Sequence, residues 1–544
     1  MKTLSLAFAC LAHAGRIRRL QSSAAESYTS PLDVFARFLV TCGFGAAFNP
    51  SAGSPKLTPW KHSELGPLKP SRAGGLVEPL MTEVLQLQHA PKTKEDWVAA
   101  LGDRAHGTEI GAEYYDFFSS VATNPEFVNE VFGRKPRLFS AVPGVADSFN
   151  FDALQAAVDG DFLDAQVGDA DRGGWQMENV AEPRGNSFED AKIRYIDIVE
   201  GMKKGTVFLN SAASHVPRLG TVSLAALDAM GVPNCLNLYL TKKGIKKSAP
   251  PHTDKQDVFV CQSSGAKHWR VFDPPPPVKK PQLDPMARGK FLDAMQMSEL
   301  GEPVLDIVLK PGDVLYVPAG YPHTTDTVNT DDAGTAADAD SLHLTIGLDT
   351  HIWGLDYACL RKGALTRAKL PDTLNVHALP AESYWHLMKV PSSLGFLRNR
   401  AQEVDVASEL VESAKVAEPA RWKKQSDLEL GETLGAPDVK AQLELHAKRI
   451  CQLQRDMYLD AAYDVLPPQP PGQPRVTIFR VKDHMEKLKA AMDEHLQWYG
   501  GNAALNNVPP PPATSKSGFG AGGFGGSKKG AKDKSKSKAK RKKR

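Results

Sequence analysis

The sequence predicts an α+β protein in which a barrel or sandwich of short strands is flanked by helices. Short runs of β-branched and aromatic residues, each bounded by Pro, Gly or Asp, recur between about Val207 and Leu348. A helical pattern rich in aromatic residues precedes them from Met81 to Gly133, and helical periodicity returns after Trp353. The order helix, strand, helix along the chain therefore places a β-rich core between two helical regions.

Composition is that of a soluble globular protein, with 42% hydrophobic and 24% charged residues. A chain of 544 residues has room for roughly two to four domains. The six cysteines are scattered and form no CxxC pair, which argues against a structural zinc site and a disulfide framework. No segment reaches about 18 apolar residues without a charge, so we expect no membrane span.

Charge is distributed unevenly. Twelve Lys or Arg and one acid from Lys516 onward give the tail a charge of +11, and residues 1–20 carry +4. The net charge of +3 for the whole chain leaves −12 for residues 21–515. An acidic body with basic ends suits a basic partner on the body and an anionic partner on the tail, although a solvated acidic surface is the commoner explanation of such a body.

Two residues of the motif Pro251-His252-Thr253-Asp254 are candidate metal ligands. Residues i and i+2 of a strand point to the same face, so an imidazole and a carboxylate can project together. A lone HxD is a weak signal, since most such pairs are a surface His and a turn Asp.

A third candidate ligand, His323, follows a turn, a strand and a second turn. Pro311-Gly312-Asp313 predicts the first turn, Val314 to Val317 the strand, and Pro318 to Gly320 the second turn. Two imidazoles and one carboxylate form the facial triad that leaves coordination positions of iron open. A structural zinc site would use four closed ligands, usually including Cys.

Lys267 lies on the second strand of a predicted hairpin that begins just after the HxD motif. The hairpin returns this lysine to the side of the metal-bearing strand. A buried lysine needs an anionic partner, and a carboxylate co-substrate is one such partner. The alternative is an ordinary surface lysine.

These motifs together resemble the JmjC oxygenases, and within that group the ribosomal oxygenases. The matching motifs run in order through Asn237 to Trp353: Asn237-Leu-Tyr239-Leu-Thr241, Pro251-His252-Thr-Asp254, Gly265-Ala-Lys267-His-Trp269-Arg270, Gly301 to His323, Ser341-Leu-His343-Leu-Thr345 and Trp353-Gly354. Upstream, Val131 to Leu138 resembles the segment that leads into this domain in the family.

The resemblance implies a double-stranded β-helix (cupin or jelly-roll) barrel that binds Fe(II) and uses 2-oxoglutarate and O2 as co-substrates. His252, Asp254 and His323 match its iron ligands, and Lys267 matches the lysine that holds the far carboxylate of 2-oxoglutarate. Asn237 and Tyr239 match polar residues of the same pocket. Gly347 is a departure, since related enzymes often carry a hydroxyl residue there.

The resemblance also implies a basic protein substrate. A ribosomal protein hydroxylated at histidine or arginine is the first expectation, and a methyl-lysine of a histone demethylated by the same chemistry is the alternative. We further expect a homodimer built by helices after residue 360, because Val439, Leu443, Ile450, Leu453 and Met457 form an apolar stripe. Packing of this stripe within one chain is the other possibility. A winged-helix module is not evident.

The sequence predicts five regions: residues 1–75 a targeting-like leader and linker, 76–206 the helical N-terminal part of the catalytic domain, 207–360 the JmjC barrel core, 361–507 a helical region that is the candidate for dimerisation, and 508–544 a disordered basic tail. The KSKAKRKKR tail predicts a nuclear or nucleolar location and contact with nucleic acid or an import receptor. The leader resembles a secretory or plastid-type signal, which makes an organelle the alternative. A disordered leader or a misassigned start codon explains it as well.

Overall fold

The computed structural model describes the central part of the chain, and those residues belong to one compact unit. The described ranges are 93–162 without 147, 177–179, 194–275, 285–328 without 290–292, 330–359 with short gaps between 331 and 337, 384–400 without 386, 437–466 and 478–498. The predicted leader and basic tail lie outside them. The domain boundaries given above stay a prediction.

A seven-stranded antiparallel sheet forms the larger of two β layers. Its strand order is β1-β9-β6-β11-β4-β3-β2. The strands are β1 (Arg137–Phe139), β2 (Met177–Asn179), β3 (Val207–Leu209), β4 (Asn234–Thr241), β6 (Asp257–Ser264), β9 (Val314–Val317) and β11 (Ser341–Leu348). The sequence motif upstream of the barrel thus supplies β1, which pairs with β9 at one edge of this sheet.

A four-stranded antiparallel sheet forms the second layer, in the order β5-β10-β7-β8. Its strands are β5 (Ala249–His252), β7 (Lys267–Phe272), β8 (Pro303–Leu309) and β10 (His323–Asp326). Short runs of β-branched and aromatic residues predicted between about Val207 and Leu348 form β4, β6, β7, β8, β9 and β11, so these strands are confirmed. The predicted hairpin that carries Lys267 is wrong in its pairing, because β6 and β7 lie in different sheets and β7 pairs with β8 and β10. The predicted turn before β9 is also present, with Gly312 at a φ of 97°.

The two sheets face each other across a small apolar cluster to which both contribute. Its buried members come from β6 and β9 on one side and from β7 and β8 on the other: Val258, Val260, Leu315, Val317, Trp269, Val271 and Leu309. Strand residues alternate between faces, so Leu236, Leu238 and Leu240 of β4 point instead into the helical core. The space between the sheets therefore receives Asn237, Tyr239 and other residues of that parity.

Helices cover the outer face of the larger sheet. They are α1 (Lys94–Leu101), α2 (Thr108–Thr123), α3 (Phe151–Asp159), α4 (Tyr195–Met202) and α5 (Pro217–Met230). Helix α5 is buried on nearly every side, begins with Pro217 in its first turn, and ends where Gly231 adopts a left-handed conformation with a φ of 66°. It forms the centre of the helical layer.

Two C-terminal helices, α6 (Pro437–Ala462) and α7 (Ile478–Trp498), complete that layer. Helix α6 packs against α5 and α7, and Arg455 Nε lies 2.9 Å from Asp228 Oδ1 of α5. The apolar stripe is buried inside the chain, with Leu443, Ile450 and Met457 at most 4% exposed. Val439 lies outside the residues whose side chains are described. The described part of the stripe therefore packs within the chain and does not support a homodimer. The homodimer stays a prediction.

Two expectations from composition can be compared with the described residues. Among the described residues, Cys235, Cys261, Cys359 and Cys451 form no disulfide bond. Among the helices that the structure describes, none combines the length and the apolar character needed to cross a bilayer.

Ile450→Asp should destabilise the protein without changing its association state. A charge placed in the interior of the α5–α6 packing has no partner there, which costs several kcal/mol against a typical stability of about 5–15 kcal/mol. Thermal unfolding and light scattering would be measured together, with Asp456→Asn on the exposed side of α6 as the control. A folded Ile450→Asp monomer obtained from a wild-type dimer would show that the stripe is an intermolecular surface.

Candidate metal centre

Antiparallel pairing brings the three candidate ligands together. His323 opens β10 and lies opposite His252, the last residue of β5. The two imidazole centroids are 4.3 Å apart, and His323 Nε2 lies 3.5 Å from Asp254 Oδ2. One ligand atom from each of the three residues lies within 4.8 Å of the others, the one such group in the described part of the chain. The three side chains are therefore within reach of a common metal ion.

Backbone carbonyls fix the orientation of both imidazoles. His252 Nδ1 lies 2.8 Å from the carbonyl oxygen of Pro250, and His323 Nδ1 lies 3.1 Å from that of Tyr321. A carbonyl oxygen only accepts, so each Nδ1 carries the proton and donates it. The Nε2 lone pairs are left to face the cluster, which is the arrangement that metal-ligating histidines commonly show.

Lys267 is fully buried between the sheets. Its side chain is 1% exposed, and Nζ donates to Thr241 Oγ1 at 3.0 Å. Burial lowers the pKa of Lys267 to about 7, and the charge of Asp326 partly opposes that shift. In the described part of the chain no carboxylate lies within 4 Å of Nζ, and Asp326 itself is held by His268 Nδ1 at 2.8 Å. A buried ammonium with a single hydroxyl partner suits an anionic ligand.

His343 borders the same space and was missed by the sequence analysis as a site residue. Its ring stacks on Tyr239 at a centroid distance of 5.0 Å and meets Trp269 edge-on at 5.7 Å. Burial, followed by the charge of Lys267, holds the pKa of His343 well below its usual range. Its Nδ1 has no hydrogen-bond partner among the described residues. The neutral ring is thus a further polar group of the cavity wall.

The other two residues assigned to the co-substrate pocket lie on β4 beside Thr241. Asn237, Tyr239 and Thr241 are two residues apart and share one face of the strand. Asn237 Oδ1 accepts from Ser211 N at 2.9 Å, so this amide also fixes the preceding loop. The two-residue alternation of side chains along a strand, counted on from Asn237 and Tyr239, is the sequence signal that could have identified Thr241. The structure brings these residues to one wall, and their role toward a co-substrate stays a prediction.

Gln256 fills the space left by Gly347. A Cβ at Gly347 would lie 2.8 Å from Gln256 Nε2. That amide donates to Asp349 Oδ1 and to Cys235 Sγ, the latter at 3.1 Å. Burial raises the pKa of Asp349 to about 7. Gln256, which follows the HxD motif closely in the chain, therefore occupies the space that a side chain at position 347 would need.

Comparison with known proteins supports the resemblance read from the motifs. The family model of the JmjC domain matches residues 224–353. This segment begins within α5 and contains β4 to β11, so it includes both sheets' central strands and all three candidate ligands. The likeness to JmjC proteins is confirmed.

Several curated relatives match the same part of the chain. Ribosomal oxygenase 1 of Danio rerio is 36% identical over 158 residues, which cover 29% of this chain and 26% of the relative. Ribosomal oxygenase 2 of Bos taurus is 34% identical over 186 residues, covering 32% and 35%. The bifunctional lysine-specific demethylase and histidyl-hydroxylase NO66 of Drosophila persimilis is 38% identical over 110 residues, covering 20% and 13%. The chain thus spans about a third or less of the length of these relatives.

Among solved structures, the ribosomal oxygenase YcfD from Escherichia coli in complex with cobalt and 2-oxoglutarate is 15% identical. The match covers 64% of this chain and 75% of YcfD, with a TM-score of 0.29. A TM-score this low carries no inference about the site.

Asp349→Asn should remove a pH-dependent loss of stability. An unfolded aspartate ionises near pH 4 and the folded one near pH 7. Between these two pH values the native state binds a proton that the unfolded state has lost. The free energy of unfolding of the wild type, relative to that of the variant, therefore falls as pH rises from about 4 to about 7, by at most about 1.4 kcal/mol per pH unit. Above about pH 7 this difference no longer changes with pH. The Asn amide oxygen can still accept from Gln256. Urea unfolding of both proteins at pH 5 and 7.5 tests this, and parallel pH profiles would contradict it.

Proposed function

We propose that the chain is an Fe(II)- and 2-oxoglutarate-dependent oxygenase that hydroxylates a protein side chain. The observation that carries this proposal is the pairing of two features in one cavity. Three ligands of the facial-triad type converge at one end of the space between the sheets. A buried lysine lies farther along it, with no carboxylate of the described residues within 4 Å of its Nζ. The JmjC match and the oxygenase names of the relatives agree with it.

The donor set fits Fe(II). Two neutral imidazoles and one carboxylate from a turn and two strands leave part of the coordination sphere open, and the described residues add no cysteine to this group that would favour a closed zinc site. When bound, Fe(II) with 2-oxoglutarate supplies the oxidising chemistry: O2 and 2-oxoglutarate are converted to succinate and carbon dioxide, and one oxygen atom enters a substrate C–H bond. The protein orients the two imidazoles through their Nδ1 protons.

The residues around Lys267 would hold the co-substrate. Protonated Lys267 offers a charge-assisted bond to the far carboxylate, and Thr241 Oγ1 already lies 3.0 Å from its Nζ. His343 and Tyr239 would border the same ligand with stacked rings. A neutral His343 leaves Lys267 as the positive group of this wall, which suits a dicarboxylate. We also infer that the two facing sheets are the double-stranded β-helix of this enzyme class.

A ribosomal protein is the proposed substrate, modified at histidine or arginine. The names of the relatives support it, and so does the net charge of −12 over residues 21–515, which suits a basic partner. Demethylation of a histone methyl-lysine is the second candidate, because the NO66 relatives are named both as demethylases and as histidyl-hydroxylases. The two reactions would share the metal chemistry, because both hydroxylate a C–H bond. A hydroxyl on a carbon of histidine or arginine is retained, whereas a hydroxylated N-methyl group of lysine breaks its C–N bond and leaves as formaldehyde.

Location and assembly complete the proposal. The basic tail supports a nuclear or nucleolar protein that contacts nucleic acid or an import receptor. Plastid or other organelle import through the leader is the alternative. A homodimer is proposed on family resemblance alone, since the apolar stripe of α6 is used within the chain.

Lys267→Ala should raise the Kd for 2-oxoglutarate by about ten- to over a hundredfold, because a charge-assisted contact is worth roughly 1.5–3 kcal/mol. Metal binding should be retained. In the wild type, affinity for 2-oxoglutarate should fall as pH rises above about 7, where the free lysine loses its proton. Calorimetric titration from pH 6 to 9 measures both effects, with the surface variant Lys243→Ala as control. An affinity that is independent of both pH and Lys267 would remove this residue from the pocket.

Asp254→Ala should abolish turnover of 2-oxoglutarate and provide a substrate trap, because one of the three ligands is lost. Proteins captured by the variant from lysate would be incubated with wild-type enzyme and analysed by mass spectrometry. Gain of one oxygen on a histidine or arginine identifies a hydroxylase, and loss of a methylene from a methyl-lysine identifies a demethylase. Succinate formed equally by wild type and Asp254→Ala would refute the metal assignment.

A further inference from the structure

Thr253, the residue between two candidate ligands, is bonded to a distant segment of the chain. Its side chain is fully buried, and Oγ1 accepts from Arg288 N at 2.7 Å. In the reverse direction, Thr253 N donates to Arg288 O at 3.0 Å. His252 and Asp254 point toward the cluster while Thr253 points away from it, as alternation along an extended chain requires. A two-bond bridge therefore fixes the peptide between the two ligands.

The partner segment is itself locked in place. Residues 285–289 are here called the anchor segment. Its Arg288 side chain is 5% exposed, and Arg288 Nε lies 2.6 Å from Asp293 Oδ2. Glu299 Oε1 lies 3.9 Å from its Nη2. The same Asp293 oxygen accepts from Gly289 N at 3.2 Å. A buried guanidinium with a paired carboxylate is costly to displace, so Arg288 holds the anchor segment in one position.

Gly289 brings the anchor segment into direct contact with the ligand-bearing strand. Its φ is 74°, and a Cβ there would lie 2.2 Å from Pro251 O and 2.7 Å from His252 Cα. Both atoms belong to backbone, so no side-chain movement relieves the clash. Only glycine combines this conformation with this approach.

The anchor segment also reaches the loop that carries the third ligand. Met286 is buried in an apolar cluster with Ala319 and Tyr384. Next to Ala319, Gly320 N donates to Asp254 O at 2.7 Å. The chain before His323 and the chain after His252 are thus tied to each other and to the same packed cluster.

We propose that the anchor segment, acting through Thr253 and Gly289, is a positioning element that sets the metal affinity of His252 and Asp254. The inference rests on the proposed metal centre. Groups that orient metal ligands without touching the metal typically contribute ten- to a hundredfold to metal affinity. Thr253 and Gly289 contact no metal and serve by fixing the backbone from which two of the three ligands project.

Metal affinity of the full-length protein, measured by titration with Co(II), tests the proposal independently of turnover. Thr253→Val keeps the shape and removes the acceptor, so Co(II) binding should weaken by about tenfold. Thr253→Ser restores the hydroxyl and should bind nearly as the wild type does. Thr221→Val is the matched control, because Thr221 is equally buried and its hydroxyl bonds His106 O at 2.7 Å, far from the ligands in the helical layer. It should lower the melting temperature and leave Co(II) affinity unchanged.

Gly289→Ala gives a second route if Thr253→Val folds poorly. It should weaken Co(II) binding, whereas Gly244→Ala should not, since Gly244 has a similar φ of 81° but nothing within 4 Å of an added Cβ. Wild-type affinity in both Thr253→Val and Gly289→Ala would overturn the positioning role while leaving the metal centre intact. Failure of the wild type to bind Co(II) would overturn the metal centre, and the positioning role with it.

Discussion

The candidate site depends on one strand pairing, the insertion of β10 between β5 and β7. His323 lies opposite His252 on one side and opposite Val271 on the other. Side chains alternate along each strand, so a shift of one residue in this register would turn His323 out of the cavity and leave His252 and Asp254 without a third ligand. The three ligands therefore converge only in this strand register, and the apolar residues that fix the register contribute indirectly to the site.

The space between the sheets combines groups that are expensive to bury. Three titratable side chains are at most 2% exposed: Lys267, His343 and Asp349. Burial lowers the pKa of Lys267 and of His343 and raises that of Asp349, so in each case it favours the neutral form. A protein that needed only a stable sandwich would fill these positions with apolar side chains. A ligand cavity, in contrast, requires a few polar groups in fixed positions around an apolar centre. Here these are one cationic group and several hydrogen-bonding groups. Gln256 fills the space beside Gly347 and adds a buried carboxamide to the same region.

The outer face of the larger sheet follows a simpler rule. Leucines of β4 and β11 belong to the same apolar core as the buried residues of α5, and α6 packs against α5. A polar contact joins α6 to the larger sheet: Tyr458 OH donates to the carbonyl oxygen of Asn234, at the start of β4, at 2.6 Å. The C-terminal helices are thus fastened to the strand that carries Asn237, Tyr239 and Thr241. Their packing stabilises the base of the candidate pocket as well as the helical layer.

Much of this arrangement was determined by the sequence alone. Alternation of β-branched residues and turn-forming Pro-Gly-Asp predicts the strands, and the residue types at positions 252, 254 and 323 already specify a facial-triad donor set because ligand chemistry is local. The roles of Thr241, His343 and Gln256 were decided by tertiary structure, since cross-strand neighbours follow from register. The same holds for the anchor segment, whose bonds to Thr253 join residues far apart in the chain. Amphipathic periodicity required that the stripe of α6 be buried, and only the packing of α6 against α5 decided where, because periodicity specifies a face and not the surface that covers it.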